Sequence, residues 1–414
     1  MKSLAMVAAL LTAIGSWLPD IAQPPVDNGG MLLGVTHAQH SLDPSLPDAE
    51  RQAGERILSA SPMLQNQHIM GFGALNPEPS PGQYDWSSLD DRIGLIRRTQ
   101  GTAVLTLCCA PDWMKGGKAG STDWTKLTDA PLPEHYKDFA ALAAKVAQRY
   151  PEVRYFQVWN ELKGFWNTAG NTWDAKGFTD FYNQVYDAVK KVRPDAQVGG
   201  PYAVFTLFSS GNPNSMITGP YGRVDERVLA FYRYWNDHAH GADFVAVDGS
   251  TTTWDKGMQT TPAEADAFYT DVTRWVRNLT GLPVWWSEFY PTAAADNDQA
   301  RSAATLDAIA HAEEAGAAAM LLWQPEASPD LPYGALWTDP GTGKVAPTSL
   351  TEAWQWLVPR LRAKTVKVVR DVEDNLLKFV GPSQTLTVNL SASAQLLHEG
   401  GTTITLGPFA VNLG

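Results

Sequence analysis

Cysteine is almost absent from this chain of 414 residues, and its two cysteines, Cys108 and Cys109, are adjacent. A framework of several disulfides is therefore excluded. Two neighbouring cysteines close only through a strained eight-membered ring, so we expect two free thiols on opposite faces of a strand, with a vicinal disulfide as the alternative. The pair also matches no familiar metal-ligand spacing.

Positive charge is scarce as well. Lys and Arg number 32 against 44 Asp and Glu, which gives a net charge of −12, and no basic run occurs. Nucleic acids and anionic membranes need such a run, so both are excluded as partners. Motifs for phosphate loops, dinucleotide binding, zinc proteases and serine hydrolases are missing too, and we expect no cofactor.

Long apolar runs are limited to Leu4–Leu18, behind the single Lys2. This stretch is too short and too interrupted for a membrane span, but it fits an export signal over residues 1–22 with cleavage near Ala22. A linker over residues 23–30 would follow. We expect a secreted, periplasmic or cell-surface protein without membrane insertion after processing; an N-terminal helix or tail that is never removed is the alternative.

Aromatic residues are plentiful, with 16 Trp, 13 Tyr and 14 Phe, and 44% of the chain is hydrophobic. The apolar content suffices for one large core plus a small appendage. Tryptophan exceeds what a core usually requires, and flat aromatic faces suit the stacking of sugar rings. A neutral partner such as an oligosaccharide or polysaccharide is therefore favoured.

Eight strand-like runs alternate with helical patterns, which predicts a (β/α)₈ TIM barrel over residues 31–362. Helices are expected at 134–150, at 298–315 and, capped by Thr179, before Pro194. The runs are MLLGVTHA, HIMGFGAL, TAVLTLCCA, YFQVWNE, AQVGGPY, ADFVAVDGS, PVWWSEFY and AAMLLWQP. Short alternating runs over 363–414 predict a small antiparallel β domain packed on the barrel.

Two carboxylates carry the strongest functional signal. Glu161 in RYFQVWNEL and Glu288 in LPVWWSEFY each follow an apolar run, so each is expected at the C-terminal end of a barrel strand. Their separation, 288 − 161 = 127 residues, equals about three strand-plus-helix units of roughly 40 residues, which assigns them to strands four and seven. Two facing carboxylates are the minimum required to cleave a glycosidic bond.

These residues also resemble a known group. VWNEL at 158–162, the Trp-Ser-Glu ending at Glu288 and a Trp at the end of strand eight resemble clan A of the retaining glycoside hydrolases. The runs PEPSPGQYDWSSLD at 77–90 and VYDAVKKVRPDAQVGGP at 185–201 are most similar to family 39 or a related cellulase-like barrel. The resemblance covers roughly residues 31–360.

The resemblance implies roles for four residues. Glu161 would be the acid/base and Glu288 the nucleophile, Trp323 would form the floor of the −1 sugar site, and Asn160 would bind the sugar 2-hydroxyl. The bond cleaved would be a β-D-glycosidic bond or its α-L equivalent. Leu162 stands where the family usually has Pro, a change in the following turn that leaves the acid in place.

Strand six departs further from the pattern. Where clan members often have His or Tyr, this chain has AVDGSTTTW with Asp248 and Trp254. An extra carboxylate there would bind sugar hydroxyls or raise the pKa of a neighbour, unless it only caps the next turn. Tyr290 is a candidate donor to Glu288.

Further substrate-binding candidates lie at or after strand ends, where barrels have their ligand loops. They are His37, Trp113, Trp166 and Trp254. His37, His40 and Asp43 have a spacing typical of metal ligands, but we interpret them as polar groups that face the sugar and not as a metal site. The loop lysines are expected to be solvated; they are Lys115, Lys118, Lys163 and Lys176.

Two other functions remain open. A sugar-binding barrel without catalysis could act as an adhesin or a surface structural component, and a transglycosylase would use the same residues. The presence of both Glu residues and Asn160 favours catalysis.

Overall fold

A computed structural model describes residues 29–209, 215–294, 296–329, 331–340, 343–399 and 402–414. The expected signal segment 1–22 and most of the linker 23–30 lie outside these residues. No helix within the described ranges combines the length and the apolar character needed to cross a bilayer.

Eight parallel strands form a closed barrel, as the sequence predicts. They are β1 Leu32–Thr36, β2 Leu64–His68, β3 Thr102–Leu107, β4 Tyr155–Val158, β5 Gln197–Val204, β6 Phe244–Ser250, β7 Val284–Tyr290 and β8 Ala319–Trp323. Each strand pairs with its neighbours in sequence, and β1 closes the ring against β8. The carboxyl ends of all eight therefore open on one face.

Helices cover the outside of the barrel. They are α1 Asp48–Ser59, α2 Ser87–Arg98, α3 Tyr136–Arg149, α4 Ala175–Val192, α5 Glu226–His238, α6 Pro262–Ala265, α7 Ala267–Thr280, α8 Asp298–Ala315 and α9 Thr351–Arg362. The bounds expected for α8 are confirmed. Thr179 does not cap α4, because Asp174 accepts from the Gly177 amide one turn earlier, while the Thr179 hydroxyl donates to the Ala175 carbonyl inside the helix.

The second strand was predicted wrongly. It was expected at 68–75, but β2 runs through LQNQH at 64–68, where every residue is buried. Gln65, Asn66 and Gln67 have hydrogen-bond partners, so their burial costs little. Gln65 and Gln67 face α2, where Gln65 donates to Thr99 and Gln67 accepts from Arg92.

The barrel interior changes from apolar to polar along the strands. Its lower layer is a cluster of Leu64, Val104, Tyr155, Phe244, Trp285 and Leu321. One inward-facing position further, Asn66 bonds to Thr36 and Thr106, and Gln157 bonds to Thr106 and to Ser287 across the barrel. This polar layer lies directly below the face where the strands end.

The loops on that face carry short elements. They are the 3₁₀ turns Asp112–Lys115, Trp124–Lys126 and Pro133–His135, the hairpin of Trp166–Asn167 with Thr172–Trp173, and the small sheet of Leu207–Phe208, Thr218–Gly219 and Gly222–Val224. These loops surround the ends of β3, β4 and β5.

The C-terminal residues form antiparallel β structure, as predicted. Strands β9 Lys367–Asp371, β10 Leu376–Val380, β11 Thr385–Asn389 and β14 Val411–Leu413 make one sheet, and β12 Gln395–Glu399 pairs with β13 Thr402–Leu406. Phe409 packs against Ala293, Ala300 and Ala304, and Arg370 on β9 reaches Asp307 on α8. The small β domain thus packs on the barrel.

Candidate active site

Three carboxyl groups meet at the open face of the barrel. Glu161 follows β4, Asp248 lies in β6 and Glu288 lies in β7 opposite Asp248 in the strand register. One oxygen of each lies within 4.8 Å of the others. The structure therefore brings the two expected glutamates together and adds Asp248 to them.

The turn that carries Glu161 has an unusual backbone. Trp159, Glu161 and Leu162 have φ values of 68°, 52° and 55°, in the left-handed region that side chains rarely adopt. Trp159 anchors the turn, because its buried indole donates to the Lys163 carbonyl at 2.7 Å and packs edge-on against Phe139. Such a conformation persists only where the surroundings impose it, and it directs Glu161 towards the other two carboxyl groups.

Two tyrosines donate to the carboxyl groups of β6 and β7. The Tyr290 hydroxyl donates to Asp248 Oδ1 at 2.6 Å, and the Tyr202 hydroxyl donates to Glu288 Oε1 at 2.5 Å. Tyr290 was expected beside Glu288 and contacts Asp248 instead. Tyr202 was missed, since its place at the end of a predicted strand does not reveal which carboxyl group it reaches across β6.

Lys163 is the cation of this cluster, which corrects its interpretation as a solvated loop lysine. Its ammonium lies 2.7 Å from Glu161 Oε1, and its side chain is 35% exposed. Burial alone would lower the pKa of Lys163, but the charge of Glu161 raises it above the usual lysine value. Asn160 also points its amide towards Glu161, with Nδ2 3.4 Å from Oε1.

Burial raises the pKa of Asp248 well above its usual range, and the nearby Glu161 charge adds to this. Burial likewise raises the pKa of Glu288, with further contributions from Asp248 and Glu161. A buried cluster avoids uncompensated charge, and Lys163 compensates one carboxylate. Protons bound by Asp248 or Glu288 therefore reduce the uncompensated charge of the cluster.

The oxygen spacing alone would also suit a hard divalent cation. The Lys163 ammonium already supplies positive charge to these oxygens, however, so we treat them as proton-sharing carboxyl groups and assign no metal ligand among them. The metal-like spacing of His37, His40 and Asp43 gives no metal cluster in the described part of the chain either.

A second side of the site is aromatic. His68 at the end of β2 is fully buried against Asn160, and burial together with the Lys163 charge lowers its pKa to about 3, so its ring is neutral. Phe72 packs on His68 at 4.1 Å between ring centroids and meets Trp323 edge-on at 6.3 Å. Trp323 is partly exposed at the end of β8, and its role as the floor of the −1 sugar site stays a prediction. His68 was missed by the sequence analysis.

His37 does not face the sugar site, contrary to expectation. Its side chain is fully buried, and Nε2 lies 3.0 Å from Gln65 Oε1, on the side of β2 that faces α2. Burial and the charge of Arg92 lower its pKa to about 3. One residue earlier, Thr36 occupies the interior, so the alternation of side chains along the strand turns His37 outward.

The remaining tryptophan candidates lie in the loops. Trp113 donates its indole N–H to the Glu78 carbonyl at 3.0 Å, which favours packing of the loops. Trp166 packs edge-on against Trp173 with the Arg227 guanidinium over its ring. Trp254 is 82% exposed, so no protein side chain covers most of its indole.

Cys108 and Cys109 form a disulfide at the end of β3, which corrects the expectation of two free thiols. Both residues are fully buried. The alternative of a vicinal bridge was therefore the right one.

Comparison with known proteins gives a likeness in fold. No family model and no curated protein sequence matches the chain. A solved glucosidase from Croceicoccus marinus is 14% identical over 93% of this chain and 82% of its own, with a TM-score of 0.58. A GH39 β-xylosidase from Caulobacter crescentus is 16% identical over 90% of this chain and 80% of its own, with a TM-score of 0.56.

A β-glucosidase from Thermotoga maritima in complex with deoxynojirimycin is 14% identical over 81% of this chain and 98% of its own, with a TM-score of 0.55. At such identities the likeness concerns the fold. The chain shares its fold with these two glucosidases and the GH39 β-xylosidase.

Proposed function

We propose that this protein is a retaining glycoside hydrolase that cleaves a β-D-glycosidic bond or its α-L equivalent by double displacement. The observation that carries the proposal is the meeting of Glu161 and Glu288 at the carboxyl ends of β4 and β7. In a (β/α)₈ barrel this face holds the catalytic residues. Glu288 would be the nucleophile and Glu161 the acid/base.

The distance between the two glutamates supports retention of configuration. Inverting enzymes keep their carboxyl groups roughly 6.5–9.5 Å apart to hold a water molecule between them, whereas retaining enzymes need about 5–5.5 Å. Oxygens of Glu161 and Glu288 lie within 4.8 Å of each other. This spacing favours direct attack of Glu288 on the anomeric carbon.

The protonation of the cluster is compatible with this division of roles. Lys163 lies in ion-pair contact with Glu161, whereas the acid role requires a proton on Glu161. Transfer of a proton from Glu288 to Glu161 would leave the nucleophile ionised and the acid protonated, without exchange with solvent. Lys163 would then have to release Glu161 when the leaving-group oxygen arrives.

The hydrogen-bonding groups support a sugar in the −1 site. Asn160 can bind a 2-hydroxyl, the neutral His68 can donate or accept, and Trp323 offers an aromatic face. The similar folds named above belong to glucosidases and a β-xylosidase, which favours β-glycosides as the first substrates to test.

The test is a screen of aryl β-D- and α-L-glycosides, followed by plant, microbial and animal polysaccharides with products separated by size. NMR spectra taken in the first minutes should show product with the configuration of the substrate. Product of inverted configuration would exclude double displacement. Affinity for a glycan without any turnover would indicate a sugar-binding barrel, and preference for sugar acceptors over water would indicate a transglycosylase.

We also propose that the protein is exported. The apolar stretch Leu4–Leu18 behind Lys2 supports cleavage near Ala22. N-terminal sequencing of the protein from its native source should begin close to residue 23, and an intact Met1 would contradict export by this signal.

A further inference from the structure

Asp248 and Glu288 form a pair of carboxyl groups that has no hydrogen-bond donor of its own if both are ionised. They lie opposite each other on adjacent strands and are 0% and 3% exposed. Oxygens of Asp248 and Glu288 lie within 4.8 Å of each other. An ionised carboxylate has only acceptor atoms, so a hydrogen bond between the two requires a proton on one of them.

The surrounding donors indicate which of the two holds the proton. Glu288 Oε1 accepts from Tyr202, and Asp248 Oδ1 accepts from Tyr290. Asp248 Oδ2 is buried and has no hydrogen-bond partner among the described residues. A nucleophilic Glu288 must be ionised and cannot donate, so an ionised Asp248 would leave this oxygen without a partner, whereas a protonated Oδ2 becomes a donor to Glu288.

We propose that Asp248 acts as a neutral carboxylic acid, which donates a hydrogen bond to Glu288 and thereby positions and stabilises the nucleophilic carboxylate. This inference rests on the glycosidase function proposed above and deepens it. Asp248 would be a positioning residue, and it would not itself contact the reacting bond. Its earlier interpretation as a ligand of sugar hydroxyls is replaced by this role.

The charges around Asp248 favour its neutral form. The charged groups that act on it are Glu161, Lys163 and Glu288, and Lys163 is the one cation among these three. The phenols that face it come from β5, β7, α5, α7 and the loop after β8; they are Tyr202, Tyr290, Tyr232, Tyr269 and Tyr333. With Lys163 balancing one carboxylate, ionisation of Asp248 would add an uncompensated buried charge.

Comparison of Asp248→Asn with Asp248→Ala separates the effect of a hydrogen-bond donor at this position from that of the carboxyl group itself. Asp248→Asn keeps the shape and an N–H donor, so we expect kcat/KM on an aryl glycoside to fall by no more than about tenfold. Asp248→Ala removes the donor, and the loss should be on the order of 10²–10³-fold, as for a donor to a developing or attacking charge. Asp266→Asn is the matched control, because Asp266 is also a fully buried carboxyl group but lies outside this site.

The pH profile provides a readout that a purely structural role would not change. Asp248 acts when protonated, so activity should fall as the pH rises through its raised pKa. In a Glu161→Gln background the acid/base no longer titrates. Single-turnover release of phenol from an activated aryl glycoside should then retain an alkaline limb, and adding Asp248→Asn should remove that limb.

Tyr290→Phe gives an independent variant in case Asp248→Asn does not fold. Loss of the Tyr290 donor disfavours the ionised form of Asp248, so the alkaline limb in the Glu161→Gln background should move to higher pH.

Three results would overturn the inference: equal losses in folded Asp248→Asn and Asp248→Ala, an alkaline limb that survives Asp248→Asn, or a limb that Tyr290→Phe does not move. A wild-type protein that cleaves no glycoside would instead refute the proposed function, and this inference with it.

Discussion

The molecule holds two acidic clusters of similar composition in different places. The first joins Glu161, Asp248 and Glu288 with Lys163 at the open face of the barrel. The second lies where the barrel meets the C-terminal sheet, and consists of Asp266, Asp307, His311 and Glu314 with Arg370. In each cluster the carboxyl groups outnumber the cations.

Their protonation is similar too. Burial raises the pKa of Asp266 well above its usual range and that of Asp307 to about 6. Burial and the charge of Arg370 lower the pKa of His311 to about 3. A perturbed pKa therefore does not by itself identify an active site, since structural ion pairs perturb pKa values as well. What separates the clusters is position: one faces the loops at the strand ends, and the other is closed by β9.

The largest expected difference concerns Glu288. Glu288→Ala should lower turnover by on the order of 10⁴–10⁶-fold, because it removes the nucleophile. Added azide should then attack from the same side and yield a glycosyl azide of inverted configuration, which NMR identifies. Asp266→Ala in the second cluster should leave turnover of the folded protein near that of the wild type; near-wild-type activity of Glu288→Ala would remove Glu288 from the mechanism.

Glu161 should behave differently from Glu288. Glu161→Ala should slow cleavage of poor leaving groups by roughly 10²–10⁴-fold, because general acid assistance is lost. With an activated leaving group the first step should survive, the intermediate should accumulate, and azide should give product of retained configuration. Swapped azide configurations in the two variants would reverse the roles assigned to Glu161 and Glu288.

Arg370 tests the second cluster. Arg370 donates to Asp307 and, at 3.0 Å, to Glu314. Arg370→Met leaves the fully buried Asp307 without its cation, so the free energy of unfolding should fall by about 3–5 kcal/mol, as when one partner of a buried pair is removed. Denaturant titration measures this loss, and kcat of the folded variant should change little. A selective loss of kcat with unchanged stability would contradict the structural role.

Asp307 gives the same cluster a pH dependence. Its pKa is raised by burial to about 6 in the folded protein, whereas an unfolded Asp titrates near ~3.9. The folded state therefore binds more protons between these values, and the contribution to stability, about 3 kcal/mol, is present below pH ~4 and lost as the pH rises to ~6. The difference in unfolding free energy between wild type and Asp307→Asn should follow this course, and a flat difference would exclude it.

The smallest effects on activity are expected for Trp323 and Trp254, which form a matched pair for substitution. Trp323→Ala should raise KM or lower kcat/KM by about tenfold, or ~1.4 kcal/mol, through loss of an aromatic face at the end of β8. Trp254→Ala should change the hydrolysis of a short aryl glycoside by less than about twofold, because a residue that is 82% exposed has few contacts to lose. Unfolding of Trp323→Ala without a separate kinetic effect would make Trp323 a core residue.

Much of the fold was accessible from the sequence because strand and helix periods recur along the chain. The bounds of α8 follow from its pattern, and the antiparallel runs of the C-terminal domain are evident in their alternation. The prediction placed the polar strand β2 too far along the chain, because a hydropathy pattern does not detect polar side chains that are buried through hydrogen bonds to other strands. The face on which His37 lies was predicted wrongly, because a shift of one residue in register moves a side chain to the other face of a strand.

The sequence by itself determined that Glu161 and Glu288 end parallel strands, because each follows a short apolar run and parallel strands end on a common face. Only the tertiary structure decided that Asp248 and Tyr202 join them, that Lys163 pairs with Glu161, and that a comparable cluster elsewhere is closed by Arg370. Hydrophobic periodicity is a property of neighbours along the chain. Proton sharing depends on distances of a few ångströms between residues up to 127 positions apart, which only the closed barrel fixes.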